Sequence, residues 1–158
     1  MDYLWTPWRY KYFAEAGSIS GCVFCDLPAA NQDEETFIVF RGVKNFIILN
    51  RYPYTSGHVM IVPYAHTADF ARLDAETTSE LMRLAQRVQA ALAGIYHPDG
   101  FNLGMNLGRA AGAGIAGHLH LHLLPRWLGD TNFMTTVGET RLLPESLEET
   151  YGRLKAKF

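Results

Sequence analysis

Histidine and leucine alternate in one short stretch of the chain, Gly117-His118-Leu119-His120-Leu121-His122-Leu123-Leu124-Pro125. Successive side chains of a β-strand point to opposite faces, so the three histidines are predicted to share one face, about 6 to 7 Å apart. The leucines between them would enter the core. A buried imidazole requires a hydrogen-bonding partner, so three in strict alternation indicate a functional site rather than ordinary core residues.

Two kinds of chemistry use such a row of imidazoles. One is metal binding, since imidazole is a common Zn²⁺ ligand. The other is nucleophilic catalysis, in which an imidazole attacks phosphorus and forms a covalent phosphoramidate. Residues 106–117 contain four glycines and four alanines, so their backbone N–H groups can approach an anion closely. An ordinary flexible connection explains such a loop equally well, but its position directly before the histidines favours phosphate.

Composition narrows the class of protein. The chain has 158 residues, of which 48% are hydrophobic, and a formal net charge of −2. This length suits one domain with a sizeable core, and the near-neutral charge argues against nonspecific binding to a nucleic acid polymer. No apolar run approaches the roughly 20 residues of a membrane span. Two cysteines make no disulfide framework and the start lacks a signal-peptide pattern, so we expect a cytoplasmic protein.

Hydrophobic periodicity predicts an α+β domain. Apolar side chains recur at helical spacing over residues 74–96, where Thr77 and Glu80 fit a capping box, and a short helix is expected from about residue 144 or 146. Short turns between the first β-rich stretches favour an antiparallel arrangement. We expect a mostly antiparallel five-stranded sheet with one long helix and a short C-terminal helix. The β-rich stretches are residues 36–40, 44–50, 57–62, 101–108 and 118–125.

The whole chain, residues 1–158, is expected to form a single domain with two appended segments. Residues 1–20 form an N-terminal arm rich in aromatic side chains, which we expect to cover its own core or to cross to a partner subunit. Residues 129–158 form a C-terminal tail that contains the short helix.

The histidine row resembles the His-φ-His-φ-His-φ-φ signature, where φ is apolar, of the histidine triad (HIT) superfamily. These are nucleotide hydrolases and transferases related to galactose-1-phosphate uridylyltransferase. Two further stretches, residues 57–66 and 106–112, resemble family motifs and extend the resemblance over about residues 20–128. The aromatic start and residues 125–133 resemble one branch, the bacterial diadenosine tetraphosphate phosphorylases and the fragile-histidine-triad-like dinucleoside polyphosphate hydrolases. The resemblance implies a HIT-like fold and, in most members, a homodimer.

The resemblance also implies a role for each histidine of the site. His120 would be the nucleophile that attacks the α-phosphorus and carries the nucleotidyl group. His118 and His122 would flank it, orient its imidazole and bind phosphate, and His58 would complete the set. A neutral imidazole is a good nucleophile near pH 7, and neighbouring hydrogen bonds offset charge on the phosphorane oxygens. The acceptor is open between water and inorganic phosphate.

Further positions that match the family would bind the nucleotide. Asn50 would bind the ribose hydroxyls, and Phe24 and Leu27 would line the base pocket beside Ile48, although these three fit a plain core equally well. Trp127 and an aromatic residue of the arm would stack on the distal base of a dinucleotide. The phosphates would be surrounded by Asn106, Gly112, Ala113 and Gly114.

One position departs from the family pattern. Ile115 stands three residues before the histidine row, where many relatives carry Ser or Thr to hydrogen-bond the scissile phosphate or the leaving oxygen. The backbone N–H groups of Ala113 and Gly114 are expected to replace that hydroxyl.

Cys22 and Cys25 form a Cys-x-x-Cys pair, which is typical of a redox site or of half a zinc site. The chain lacks a thioredoxin-like βαβ pattern, so we discount redox activity. Relatives that carry this pair resemble a tetrahedral Cys₂His₂ site, which here implies a structural zinc held by Cys22, Cys25, His66 and His118. As a zinc ligand, His118 would hold His120 in position without itself contacting the substrate. No catalytic cofactor is expected.

Three functions therefore compete. The first is nucleotidyl transfer through His120 from a dinucleoside polyphosphate or a related nucleotide phosphoester or phosphoramidate. The second is a zinc hydrolase in which the histidine row itself binds a catalytic metal. The third is a nucleotide-binding regulatory protein with idle catalytic groups.

Overall fold

Five antiparallel strands form one sheet in the order β1-β2-β3-β5-β4. The computed structural model describes residues 21–138 and 143–158, so the expected N-terminal arm lies outside the described residues. Met60 pairs with His122 across two neighbouring strands, which brings the stretch of residues 57–66 next to the histidine row. The strands are β1 (Ile38–Arg41), β2 (Asn45–Leu49), β3 (Val59–Pro63), β4 (Gly100–Gly104) and β5 (Leu121–Arg126).

The described residues also contain five α-helices. The expected long helix and C-terminal helix are confirmed as α3 and α5, whereas α1, α2 and α4 were not expected. Short 3₁₀ turns occur at Phe70–Arg72 and Arg109–Ala111. No helix in this part of the chain is long and apolar enough for a membrane crossing. The helices are α1 (Val23–Ala29), α2 (Asp33–Thr36), α3 (Ala75–Tyr96), α4 (Phe133–Thr136) and α5 (Leu147–Lys155).

The sheet buries apolar side chains on both faces. Alternation along β2 sends Ile47 into the core beneath α3 and Ile48 to the opposite face, where Phe24 of α1 packs. Leu121 and Leu123 of β5 lie in the α3 core, as their alternation with the histidines predicts. One face of the sheet is thus filled by the long helix, and the other is left for α1 and the histidine-bearing site.

Two local expectations are wrong. Asp74, not Thr77, caps α3, because its Oδ1 accepts the Thr77 N–H at 2.7 Å. Glu80 does not close a capping box but reaches the turn between β1 and β2. The strand expected over residues 101–108 ends at Gly104. At α5 the expected cap is confirmed, since the Ser146 hydroxyl oxygen accepts the Glu149 N–H at 3.2 Å.

Candidate active site and metal centre

A cavity of about 450 Å³ opens on the face of the sheet opposite α3, a size suited to a small ligand. One part of its wall is apolar and contains Met60 and Ile115. His120 and His122 line the polar part. Seven of the nine predicted nucleotide-binding residues line this cavity: Phe24, Leu27, Ile48, Asn50, Asn106, Gly112 and Gly114.

The imidazole of His120 is buried and held by its own chain. Its Nδ1 lies 2.8 Å from the carbonyl oxygen of His118. Because a carbonyl only accepts, Nδ1 carries the proton and Nε2 of the neutral ring keeps its lone pair. Burial lowers the pKa of His120 against the raising effect of this hydrogen bond. The site therefore holds a neutral imidazole with an unprotonated Nε2.

His58 and His122 form a directed hydrogen-bonded pair. The Tyr54 N–H donates to Nδ1 of His58 at 3.1 Å, so a neutral His58 carries its proton on Nε2. That Nε2 donates in turn to Nδ1 of His122 at 2.9 Å. His122 then carries its own proton on Nε2. The row thus places a nitrogen lone pair on His120 next to an N–H donor on His122, with ring centroids 4.8 Å apart.

Aromatic side chains flank the imidazoles at both ends of the row. The Phe24 ring lies 5.0 Å from the His120 ring and 5.6 Å from the His118 ring, centroid to centroid. At the other end the Tyr54 ring lies 4.6 Å from the His58 ring. Such contacts restrict ring rotation, so the imidazoles keep the orientation that their hydrogen bonds define.

The glycine-rich loop before the histidines contains a 3₁₀ turn between two glycines with positive φ. Gly108 has φ +80° and Gly112 has φ +85°, which other residues rarely adopt. The Ala113 N–H donates to the Gly108 carbonyl oxygen at 3.4 Å, and the Ala113 side chain is buried outside the cavity lining. The Ala113 N–H therefore already has a partner within the loop, and its expected contact with a phosphate stays a prediction. The Gly114 N–H meets no acceptor within the described ranges.

Trp127 lies outside the wall of the cavity described above. Among the described residues it is absent from the cavity wall, and its ring packs edge-on against Tyr96 with centroids 6.3 Å apart. The neighbouring Arg126 pairs with Asp130 through a 2.8 Å contact from its Nη2. The expected stacking of Trp127 on the distal base of a dinucleotide stays a prediction.

Beside the cavity, all four predicted metal ligands meet. Their ligand atoms lie within 4.8 Å of one another, and Sγ of Cys22 is 3.2 Å from Nδ1 of His118. Sγ of Cys25 is 3.4 Å from Nδ1 of His66 and 3.7 Å from Nδ1 of His118. Tetrahedral Zn–S and Zn–N bonds of about 2.3 and 2.0 Å place S and N about 3.5 Å apart, so the spacing fits zinc.

The protonation of His118 also suits a metal ligand. Its Nε2 lies 2.8 Å from the carbonyl oxygen of Pro63, so Nε2 carries the proton and Nδ1 faces the sulfurs with a lone pair. Cys22 is the N-cap of α1, while His118 precedes β5. A metal ion here would join α1 to the centre of the sheet.

Comparison with known proteins adds an independent finding. A model of the HIT domain matches residues 31–127. The chain belongs to the HIT family. It is 39% identical over 155 residues to an AP-4-A phosphorylase of Mycobacterium tuberculosis, with 93% of this chain and 79% of that protein aligned. The family expected from the histidine row is thereby confirmed.

Solved HIT structures share the fold. A Zn-bound histidine triad family protein from Mycobacterium smegmatis is 30% identical with a TM-score of 0.70, and the match covers 90% of this chain and 94% of that one. A hypothetical histidine triad nucleotide-binding protein from Sulfolobus tokodaii is 28% identical with a TM-score of 0.70, covering 86% and 91% of the two chains.

The structure adds site residues to this HIT chain that the sequence did not single out. Arg51, Tyr52 and Tyr54 line the cavity from the loop between β2 and β3. Their only sequence signal was their place among the seven residues between Asn50 and His58. Met60 lies in the β-rich stretch 57–62 and had no predicted role in the site, yet it forms part of the cavity wall.

Proposed function

We propose that this HIT protein is a nucleotidyl hydrolase or transferase that cleaves dinucleoside polyphosphates such as diadenosine tetraphosphate, or related nucleotide phosphoesters and phosphoramidates. The observation that carries the proposal is the neutral, oriented His120 with its Nε2 lone pair at the cavity. The similarity to an AP-4-A phosphorylase supports the substrate class. A covalent nucleotidyl-His120 intermediate and transfer to inorganic phosphate are parts of the proposal.

The proposed chemical steps follow from which ring nitrogen carries the proton in each histidine of the row. Nε2 of His120 attacks the α-phosphorus, and an N–P bond forms as the P–O bond to the leaving nucleotide breaks. His122, protonated on Nε2 and backed by His58, gives its proton to the leaving oxygen. In the second step His122 takes a proton from water or inorganic phosphate, whose oxygen attacks phosphorus and releases His120.

The substrate nucleotide would lie along the cavity. Its base packs against Phe24, Leu27 and Ile48, whose apolar surface accepts any flat ring. Its ribose meets Asn50, whose Nδ2 lies 3.4 Å from Nδ1 of His58 and whose Oδ1 accepts the Tyr52 N–H at 3.0 Å. Its phosphates meet the glycine-rich loop, where Asn106, Gly112 and Gly114 line the cavity.

We also propose a structural zinc at Cys22, Cys25, His66 and His118. The close fit of the four ligand atoms supports it, as does the zinc in the M. smegmatis relative. When bound, the ion would cross-link the segments that carry its ligands and stabilise the folded chain. The Pro63 carbonyl would fix the tautomer of His118 for binding.

The remaining expectations concern the whole protein and stay proposals. We propose a single domain over residues 1–158 that acts in the cytoplasm as a homodimer. An edge position of β4, where Leu103 is half exposed, supports pairing with a second copy. Sedimentation analysis of the purified protein would distinguish a dimer from a monomer.

The decisive experiment combines product analysis with a variant of the nucleophile. Wild-type protein is incubated with diadenosine tetraphosphate with and without inorganic phosphate. ADP plus ATP identifies phosphorolysis, and AMP plus ATP identifies hydrolysis. His120→Ala is expected to keep its fold and nucleotide affinity but to lose about 10³-fold or more in turnover. Quenched wild-type protein should gain the mass of one adenylyl group, which the variant should not.

Other results would select the competing functions. Near-normal turnover by His120→Ala contradicts nucleophilic catalysis. Inhibition by chelators with rapid recovery on adding Zn²⁺ would favour a zinc hydrolase. Tight nucleotide binding without turnover over a panel of dinucleotides would favour a regulatory protein.

A further inference from the structure

Helix α1 joins the proposed metal centre to the wall of the cavity. Cys22 is its N-cap, and Cys25 lies in its first turn. Phe24 stands between the two cysteines, and both Phe24 and Leu27 line the cavity. This short helix therefore carries two of the four proposed zinc ligands and two of the three residues proposed to contact the base.

The ring of Phe24 lies where the two proposed sites meet. Phe24 is 2% exposed and packs in an apolar cluster with Ile48 and Met60, which also line the cavity. Its ring centroid lies 5.6 Å from that of His118, a proposed metal ligand, and 5.0 Å from that of His120, the proposed nucleophile. A shift of the N-terminal turn of α1 would therefore move an aromatic wall of the cavity.

Contacts with the rest of the chain must hold α1 in place, because a helix of seven residues is not stable alone. At its C-terminal end, the Pro28 carbonyl oxygen accepts a hydrogen bond from Nη2 of Arg41 at 2.8 Å. At its N-terminal end, Cys22 makes no side-chain capping hydrogen bond in the described chain. Its sulfur and that of Cys25 instead face the histidines of the metal cluster. A bound ion would thus fix the turn that carries Phe24.

The phosphate end of the cavity is held without α1. Nδ1 of His120 donates to the main-chain carbonyl of His118. The Tyr54 N–H fixes the tautomer of His58, which is hydrogen-bonded to His122. These groups belong to β5, to the residues directly before it and to the segment between β2 and β3. Loss of an ion would therefore loosen the wall that contacts the base and leave the phosphate end in place.

We propose that a metal ion at the four-ligand centre sets the affinity for the base of the nucleotide, by holding Phe24 in the cavity wall. This inference rests on the proposed nucleotide binding and on the proposed zinc, and it gives the centre a role in substrate recognition besides stability. No contact between the ion and the nucleotide is needed. The four metal ligands act as positioning residues, and Phe24 is the group that contacts the base.

The test compares two ligands that differ in the presence of a base, AMP and ribose 5-phosphate. Their dissociation constants are measured by NMR titration for zinc-loaded protein, for chelator-treated protein and for His66→Gln, with metal content measured by mass spectrometry. Metal removal should weaken AMP binding about 10-fold or more, as loss of one base–aromatic stack does. Binding of ribose 5-phosphate should stay within about 2-fold. Added zinc should restore AMP binding to chelator-treated wild-type protein but not to His66→Gln.

Two further variants separate this role from a general loss of stability. Glu80 lies outside the cavity wall, so Glu80→Gln should weaken the fold but change neither affinity by more than about 2-fold. Phe24→Leu should weaken AMP binding in zinc-loaded protein, and metal removal should then add at most about 2-fold, because both changes act through one contact.

The outcomes distinguish the inference from the function on which it rests. Equal losses of both ligands on metal removal would overturn the inference and leave nucleotide binding intact. Unchanged AMP affinity in metal-free protein would also overturn it, as would a purified chain that takes up no zinc. Zinc-loaded protein that binds neither ligand would contradict the proposed function, and the inference falls with it.

Discussion

Two main-chain groups decide which ring nitrogen carries the proton at the proposed active site. The carbonyl of His118 accepts from Nδ1 of His120, and the N–H of Tyr54 donates to Nδ1 of His58. Main-chain groups of a folded domain move little, so both tautomers are built into the backbone. The proposed nucleophile and the proposed acid therefore already carry the tautomers that the proposed reaction requires.

The proton path through His58 can be tested by changing the leaving group. His58→Phe removes the donor to Nδ1 of His122, so His122 loses the orientation that directs its proton to the leaving group. Turnover of adenosine 5′-phosphoramidate, whose nitrogen must gain a proton before it leaves as ammonia, should fall about 100-fold. The p-nitrophenyl ester of AMP, whose leaving group departs without a proton, should lose far less. Steady-state kinetics on both substrates provide the measurement, and equal losses would contradict the acid role.

Gly57 shows how tightly the residue before His58 is constrained. Its φ is +78°, and a Cβ there would lie 3.0 Å from Leu92 and 3.2 Å from Pro125. Gly57→Ala should therefore destabilise the fold by about 2 kcal/mol in urea denaturation. Gly94 in α3 has open space around it, so Gly94→Ala should stabilise the protein by up to about 1 kcal/mol. Similar effects of both substitutions would contradict the steric argument.

At the scale of elements, Glu80 joins the long helix to the turn between β1 and β2. Its carboxylate accepts the N–H groups of Val43, Lys44 and Asn45 at 2.9, 2.7 and 2.8 Å and the side-chain amide of Asn45 at 2.9 Å. Burial acts to raise the pKa of Glu80, but these hydrogen bonds outweigh it and hold the pKa below its ordinary value.

The lowered pKa of Glu80 predicts an acid-sensitive contribution to stability. Since the folded value lies below the unfolded one, the contribution is complete above the ordinary pKa of 4.5 and is lost as pH falls through the folded pKa. Glu80→Gln should cost about 2 kcal/mol at pH 7, where donors lose their charged acceptor. Urea denaturation from pH 7 to pH 3 should show this difference shrinking. A difference independent of pH would contradict it.

The sequence predicted those elements whose own periodicity determines them. Strands β2 and β3 and helix α3 fall within a few residues of the expected bounds, because their apolar alternation is local. Helix α1 was missed, since it has only seven residues and contains Pro28. Its position depends on packing of Phe24 against a distant face of the sheet. The capping box predicted for Thr77 and Glu80 was also wrong because of a contact between distant residues. Glu80 is hydrogen-bonded to the turn between β1 and β2, which is about 35 residues away in sequence.

The candidate site likewise has parts that the sequence predicted and parts that only the structure shows. Alternation in the histidine row predicted the shared location of His120 and His122, and family motifs pointed to most of the cavity wall. The direction of each proton came only from the structure, because His58 and His122 are 64 residues apart. Arg51 has no pattern around it that distinguishes it from a surface arginine. Its place in the cavity depends on how the loop folds onto His58.

At the scale of the whole molecule, the small net charge and the proposed polyanionic substrate are compatible. A formal net charge of −2 gives no long-range field that gathers nucleic acid. The proposed phosphate site relies on backbone amides and neutral imidazoles, which act only at contact distance. Such a site discriminates by shape and position rather than by attraction for any polyphosphate.

The proposed metal centre would also act on the whole molecule, because its ligands come from three separated segments. We expect zinc in stoichiometric amount after purification without chelator. His66→Gln should abolish it and lower the Tm by about 5 to 10 °C, since α1 loses its link to the sheet. His97→Gln is the matched control, because His97 is also exposed and lies outside the cluster. Metal analysis by mass spectrometry and thermal denaturation provide the measurements. A metal-free wild-type chain that unfolds at the same temperature with and without added zinc would show that α1 is held by packing of Phe24 alone.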